Sequence, residues 1–340
     1  MLFALILVFT TACGSSSSSS KTSEASSAQN DSGKIEGTLN FYTSQPDADA
    51  VALVEAFNKE YPDVKVETFR SGTEEVISKI KAEQLAGDVQ ADVLLVADSV
   101  TFEGLKEEDL LLSYKSPEGK EIPENLVDPD GMYTGTKVMA TAMVVNTENV
   151  KEIPKSWNAL TSNEAKGSVL MPSPFYSGAA AYNLGVFTRQ DPFGWALYED
   201  LKANGTTVTK GNGDVLKTVA SGEKNYGMVV DFVVARAKAE GSPVELVYPE
   251  EGVPVITEPV GIMKDTKNEA ASKAFVDFVL SEKGQELAAE IGYTPIRKGI
   301  EAPEGLKTID EMKVLDADIT ELYQAREDDK KQFGEIFGQQ

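Results

Sequence analysis

The sequence predicts an α/β protein of two lobes, hinged like a clamshell. Three observations carry this. Strand-like and helix-like segments alternate along most of the chain beyond residue 35. The 340 residues are too many for one compact domain and comfortable for two lobes. Two extended segments, near 137–146 and 255–263, read as crossings between two such sets.

The first set begins with a strand over Thr38–Thr43 (TLNFYT). Ala48–Tyr61 has helical spacing, with Val51, Val54, Phe57 and Tyr61 on one face. Val64–Phe69 alternates like a strand, and Thr73–Ala86 is helical with Val76, Ile77 and Ile80 inward and Gly87 as the stop. Ala91–Ala97 (ADVLLVA) is a continuous apolar run, as a buried parallel strand requires. Residues 113–135 are turn-rich and polar, and Lys137–Asn146 is a long strand.

The second set contains strands at Ser168–Met171, Thr206–Thr209, Gly227–Val230 and Val244–Tyr248. Between them lie helices at Ser177–Thr188, Pro192–Ala203, Asp214–Ser221 and Asp231–Glu240. Val255–Met263 is strand-like, followed by helices Glu269–Leu280 and Glu282–Ile291 and a charged last helix near Ala317–Phe337. The domains expected are 35–136 with 256–300 as lobe 1, 137–255 as lobe 2, and 301–340 as a helical segment packing on both.

Composition removes whole classes of function. Asp and Glu number 55 against 32 Lys and Arg, a formal charge of −23, so nucleic acid is not an expected partner. There is no His, which removes the commonest general base and a common zinc ligand. Cys13 is the one cysteine, so no internal disulfide can form. It follows an apolar run (Leu2–Phe9) too short to span a bilayer, and precedes Ser15–Ser20 and a polar tract. This order resembles a bacterial lipoprotein signal: residues 1–13 as the signal segment, lipid on Cys13, and 14–34 as a flexible linker. Two departures are Thr10 where such signals favour Leu, and no Lys or Arg before the run, so a start upstream of Met1 is expected.

One helix start stands apart. Ser177-Gly178-Ala179 opens a helix with no Asp or Glu from Ser177 to Thr188, in a chain that places acids near most of its other helix starts. The positive end of a helix favours negative charge, so this end is free to meet an anion supplied from outside. Ligands in open α/β sheets sit beyond the carboxyl ends of the strands. Tyr42-Thr43-Ser44 and Ser71-Gly72-Thr73-Glu74 occupy such ends, with hydroxyls and a glycine leading into helices. The same residue types also serve as ordinary helix caps. Glu74 would partly repel an anion, and suits a ligand that also carries an ammonium group.

From Gly227 to Gly292 the pattern resembles a known family. The stretches GNGDVLKTVASGE and FVDFVLSEKGQ are similar to the extracellular solute-binding proteins of ABC importers, in the branch with ferric-ion, phosphonate and sugar-phosphate binders. The resemblance covers about residues 35–300 and implies a type II periplasmic-binding-protein clamshell, ligand in the cleft, no catalysis and no cofactor. It implies a small anionic solute and a membrane permease as partners, a monomer, and a place on the outer face of the cell membrane.

The resemblance also assigns residues. It gives the Ser177, Gly178 and Ala179 loop the role of anion donor, and places Asn212 on the same anion. In the ferric binders two adjacent tyrosines hold iron; here that place holds Asp231 and Phe232, which points away from iron and makes Asp231 a partner for a ligand cation. The expected ligand is a phosphorus oxyanion, either an aminoalkylphosphonate such as 2-aminoethylphosphonate or a phosphate ester, held by neutral donors without Lys or Arg. Ferric ion with a synergistic anion is the alternative.

Overall fold

The computed structural model describes residues 34–339. Cys13 and the serine tract lie outside the described residues.

The first lobe opens with β1 (Gly37–Thr43), parallel to both β2 (Val64–Arg70) and β3 (Val93–Leu95). Helices α1 (Asp47–Glu60) and α2 (Thr73–Leu85) join them, and α3 (Ser99–Glu107) follows β3. Short strands β4 (Leu111–Leu112) and β5 (Thr134–Gly135) complete the first pass. The second lobe runs from β6 (Lys137–Asn146) through β7 (Val169–Pro172), β8 (Thr207–Thr209), β9 (Tyr226–Val230) and β10 (Val244–Val247) to β11 (Val253–Ile256). Its helices are α4 (Gly178–Thr188), α5 (Gly194–Ala203), α6 (Asn212–Ala220) and α7 (Asp231–Ala239). The chain then returns through β12 (Pro259–Met263) to α8 (Glu269–Leu280) and α9 (Glu282–Glu290). It ends with β13 (Thr294–Pro295), β14 (Val314–Leu315) and α10 (Ile319–Phe337).

Two sheets result. One has the order β2-β1-β3-β12-β4, with β5 also on β12; the other has β14-β11-β6-β9-β7-β8, with β10 and β13 on β6. β12 enters the first sheet antiparallel to β3, and β6 lies antiparallel to β9. Each sheet has its own aromatic centre. Phe57 packs edge-on to Phe275 and Phe278 in one, and Trp157 and Phe193 pack edge-on to Phe187 in the other.

The long strand expected over Val255–Met263 is two strands in two sheets, broken at Thr257–Glu258. The break is itself a crossing, and β5-Thr136-β6 is the other. The two are tied: Thr136 donates from its N–H to Thr257 O at 2.9 Å and from its hydroxyl to Glu258 O at 2.7 Å. Glu258 has φ +35°, a left-handed value uncommon away from glycine.

The inward face of α1 is also shifted. Ala50, Leu53 and Phe57 are buried while Val51 is 55 % exposed. The face turned because Asp49 is buried on it, accepting from Arg236 at 3.0 and 3.1 Å and from the Tyr293 hydroxyl at 2.6 Å. Helix α3 is not anticipated by the sequence pattern. Its start is fixed by Asp98, whose carboxylate accepts from the Thr101 N–H.

Candidate ligand-binding cleft

A cleft of about 340 Å3 lies beyond the carboxyl ends of the strands, between the lobes. That is the small end of the range for ligand sites, suited to one small molecule. Helix starts converge on it. Gly72 and Thr73 bring α2, Ser177 to Ala179 bring α4, Gly211 to Gly213 bring α6, and Ser44 and Pro46 lead into α1. Each start carries N–H groups left over by the helix.

At α4 the donors can be followed atom by atom. Ser177 Oγ accepts from the Ala180 N–H at 3.3 Å and from Asn212 Nδ2 at 3.4 Å, so its own O–H stays available to donate. Among the described residues, the Gly178 and Ala179 N–H groups have no hydrogen-bond partner. Asn212 is held from the other side, its Oδ1 accepting from the Val230 N–H at 3.1 Å. Ser44 Oγ accepts from the Ala97 N–H at 3.2 Å, which again leaves a hydroxyl proton.

Of the residues singled out from sequence, Ser44, Gly72, Thr73, Ser177, Gly178, Ala179 and Asn212 line the cleft. The others are turned elsewhere, each by a partner. Tyr42 points from β1 into the apolar cluster with Val76 and Ile80 of α2 and donates to Glu83 at 2.8 Å; burial and that carboxylate push its phenol up to about 12. Thr43 is fully buried, its hydroxyl oxygen accepting from the Gln45 N–H. Ser71 donates to Glu75. Glu74 turns back to Arg326 and Lys330, at 2.7 and 2.9 Å. Asp231 lies behind the cleft wall, accepting from the Tyr248 hydroxyl at 2.9 Å, and burial pushes its carboxyl up to about 7 against that bond. Its neighbour Phe232 lines the cleft instead.

The expectation of a cleft without basic residues is corrected. Arg70, at the end of β2, and Lys210, before the α6 start, both line it. Arg70 Nε donates to Gln45 O at 2.6 Å, which fixes the guanidinium. Lys210 lies 4.3 Å from the Tyr176 ring centroid and 3.3 Å from Glu75. At the floor, Glu258 is paired with Lys137 at 2.5 Å, and Lys137 lies over the Tyr293 ring. The signals for these residues were present. Arg70 directly precedes Ser71, and Glu258 is the one charge in the run Val255–Met263.

The lobes meet around the cleft. The Glu74 N–H donates to Tyr176 O at 3.3 Å, and Lys210–Glu75 and Arg236–Asp49 are cross-lobe ion pairs. Glycine permits the approach. A Cβ on Gly72 would sit 2.5 Å from Tyr176 O, and one on Gly178 2.5 Å from Ala97 O.

Residues 52–314 match the bacterial extracellular solute-binding protein family. The chain belongs to this family. It is a solute-binding protein of the kind that serves ABC importers, with the two-lobed type II fold. An uncharacterized protein of Haemophilus influenzae is 31% identical over 272 residues, covering 77% of this chain and 78% of the relative. Iron uptake protein A1 of Synechocystis is 25% identical over 268 residues, covering 74% and 73%. Among solved structures, the periplasmic binding protein AfuA of Actinobacillus pleuropneumoniae, with fructose-6-phosphate bound, superposes with a TM-score of 0.82 at 26% identity. That match covers 88% of this chain and 98% of AfuA.

Among the described residues, no group of three or more His, Cys, Asp or Glu is placed to hold a metal ion, and no helix is long and apolar enough to cross a membrane.

Proposed function

We propose that this solute-binding protein captures a small organic phosphorus oxyanion, a phosphate ester or a phosphonate such as 2-aminoethylphosphonate, for an ABC permease. The observation that carries the reading is the meeting of four helix starts, with unpaired N–H groups at Gly178 and Ala179, in one small cleft. The anion would take N–H and O–H donors from Ser44, Thr73, Ser177, Gly178 and Ala179, with Asn212 holding the Ser177 hydroxyl in place. Arg70 adds a cation at the rim, a change from the neutral cradle expected from sequence. A hydroxyl or amine on the ligand's other end would reach Glu258 at the floor, the part sequence reasoning gave to Asp231. AfuA, at 26% identity, was solved with a sugar phosphate, which favours the same class here.

On this reading the protein binds without catalysis, and lipidation of Cys13 would hold it on the extracytoplasmic face of the cell membrane. The relative named for iron uptake favours a second reading, ferric ion. Against it, Asp231 and Tyr42 face away from the cleft with their own partners and Tyr182 is not in its lining, which leaves Tyr176 of the oxygen ligands that reading would use. Native mass spectrometry of protein purified without refolding tests the choice. Retention of a small phosphorus compound supports the proposal; retention of iron, with no phosphorus compound bound on addition, overturns it.

A further inference from the structure

The last helix touches both lobes, and its two faces differ in chemistry. Towards the second lobe, the contact is apolar and tight. Phe333 is 1 % exposed and packs edge-on to Phe175 and Tyr198, with Phe337 stacked on it at 4.6 Å. Leu322 presses on Gly185 so closely that a Cβ there would lie 2.8 Å from it. Arg189 of the second lobe adds Asp329 at 2.7 Å, and β14, just before the helix, pairs with β11 in the second sheet.

Towards the first lobe, the contact is mostly ionic, with Tyr323 resting on Gly104 of α3, where a Cβ would lie 3.0 Å from its ring. Arg326 reaches Asp98, the cap of α3, at 3.1 Å and Glu74, in the first turn of α2, at 2.7 Å. Lys330 also reaches Glu74, at 2.9 Å. Beside these pairs lies a groove of about 410 Å3, lined by Tyr323 and Gln324 of the helix and by Ile77 and Leu105 of the first lobe. These pairs are buried, with Asp98 fully enclosed, so parting the lobes returns their charges to water and offsets the loss of the pairing, whereas exposing the aromatic contacts has no such compensation. If the lobes part, the ionic face is therefore the one that lets go.

We propose that α10 is a latch carried by the second lobe, which clasps the first lobe in the closed state and releases it on opening. Its clasp sits on the cleft. Glu74 follows Thr73, and its N–H makes the cross-lobe bond to Tyr176 O; Asp98 follows Ala97. The Arg326 and Lys330 contacts thus stabilise closure without touching the ligand. Two of the carboxylates beside the helix starts are held off the anion site by the same contacts.

Spin-label distances test this without any ligand. In a Cys13→Ser background, Asp328→Cys on α10 is paired with Lys217→Cys in the second lobe, and separately with Glu55→Cys in the first; all three native positions are exposed. The latch predicts a single narrow distance to the second lobe and a broader or two-part distribution to the first. Arg326→Met and Glu74→Gln each should shift the first-lobe distribution to longer distances and leave the second-lobe distance unchanged. A helix that keeps its distance to the first lobe and varies against the second overturns the proposal. So do folded variants whose distributions match the parent. If Arg326→Met fails to fold, Glu74→Gln and the parent's own two distributions still decide.

Discussion

At the scale of the residue, position in a helix start did not decide whether a carboxylate met the cleft; its partner did. Glu74 is drawn away by residues 252 and 256 positions distant, and Asp231 by a tyrosine 17 positions on. Such pairings leave no local mark, so the sequence could offer Glu74 and Asp231 as ligand contacts but could not show their true neighbours. The acid-free start at Ser177 was legible because it is a property of one short stretch. Asp231 makes a prediction of its own. Its carboxyl is raised to about 7, above the ordinary value of about 4. Below pH 4 it is protonated in both folded and unfolded chains, and nothing is lost. As pH rises from 4 through 7, the unfolded chain ionises first and the fold loses stability. Asp231→Asn should therefore unfold at the same temperature as the parent near pH 4 and at a higher one at pH 8, by roughly 2 kcal/mol in stability. A variant less stable than the parent at pH 8 would contradict this. Glu258 predicts a different outcome. Glu258→Gln should weaken binding of 2-aminoethylphosphonate or fructose-6-phosphate about tenfold, and leave ethylphosphonate, which has no donor on its tail, unchanged by calorimetry.

At the scale of the element, most strands and helices followed from periodicity, because each has one buried face and one wet one. The misses have physical causes. The run Val255–Met263 looks continuous since both of its halves are central in a sheet, and the crossing between them is two residues long. The α1 face turned by about one residue since Asp49, a charge, is buried by Arg236 and Tyr293. Two element starts, those of α2 and α4, meet each other. Gly72 and Gly178 let them touch across the cleft. Gly178 has no positive φ and opens a helix, so alanine there is tolerated by the backbone. Gly178→Ala should keep its unfolding temperature within about 2 °C and lose affinity about 10-fold or more, as closure is held open by the new methyl group. Full affinity in that variant would mean that the lobes close elsewhere.

At the scale of the molecule, charge and site have opposite signs. A chain of net charge −23 places helix starts and Arg70 on its cleft; of the acids around it, Glu74 is occupied by α10, Glu75 by Ser71 and Lys210, Asp49 by Arg236 and Glu258 by Lys137, while Asp214 lines the cleft from the first turn of α6. Local dipoles and paired acids outweigh a net charge that is spread over the surface and screened by salt. The two-lobe layout was legible from length and alternation, but the path of the last helix across both lobes was not, for its two faces are defined by partners far away in the chain. Capture of a phosphorus oxyanion is tested most directly by a phosphorus-31 NMR titration of the folded protein with fructose-6-phosphate and with 2-aminoethylphosphonate. At least one should show a saturable shift of its phosphorus resonance, displaced by the other or by inorganic phosphate and requiring about tenfold or more ligand in Gly178→Ala. No shift with either compound, together with a saturable visible absorption on adding ferric ion, would contradict it.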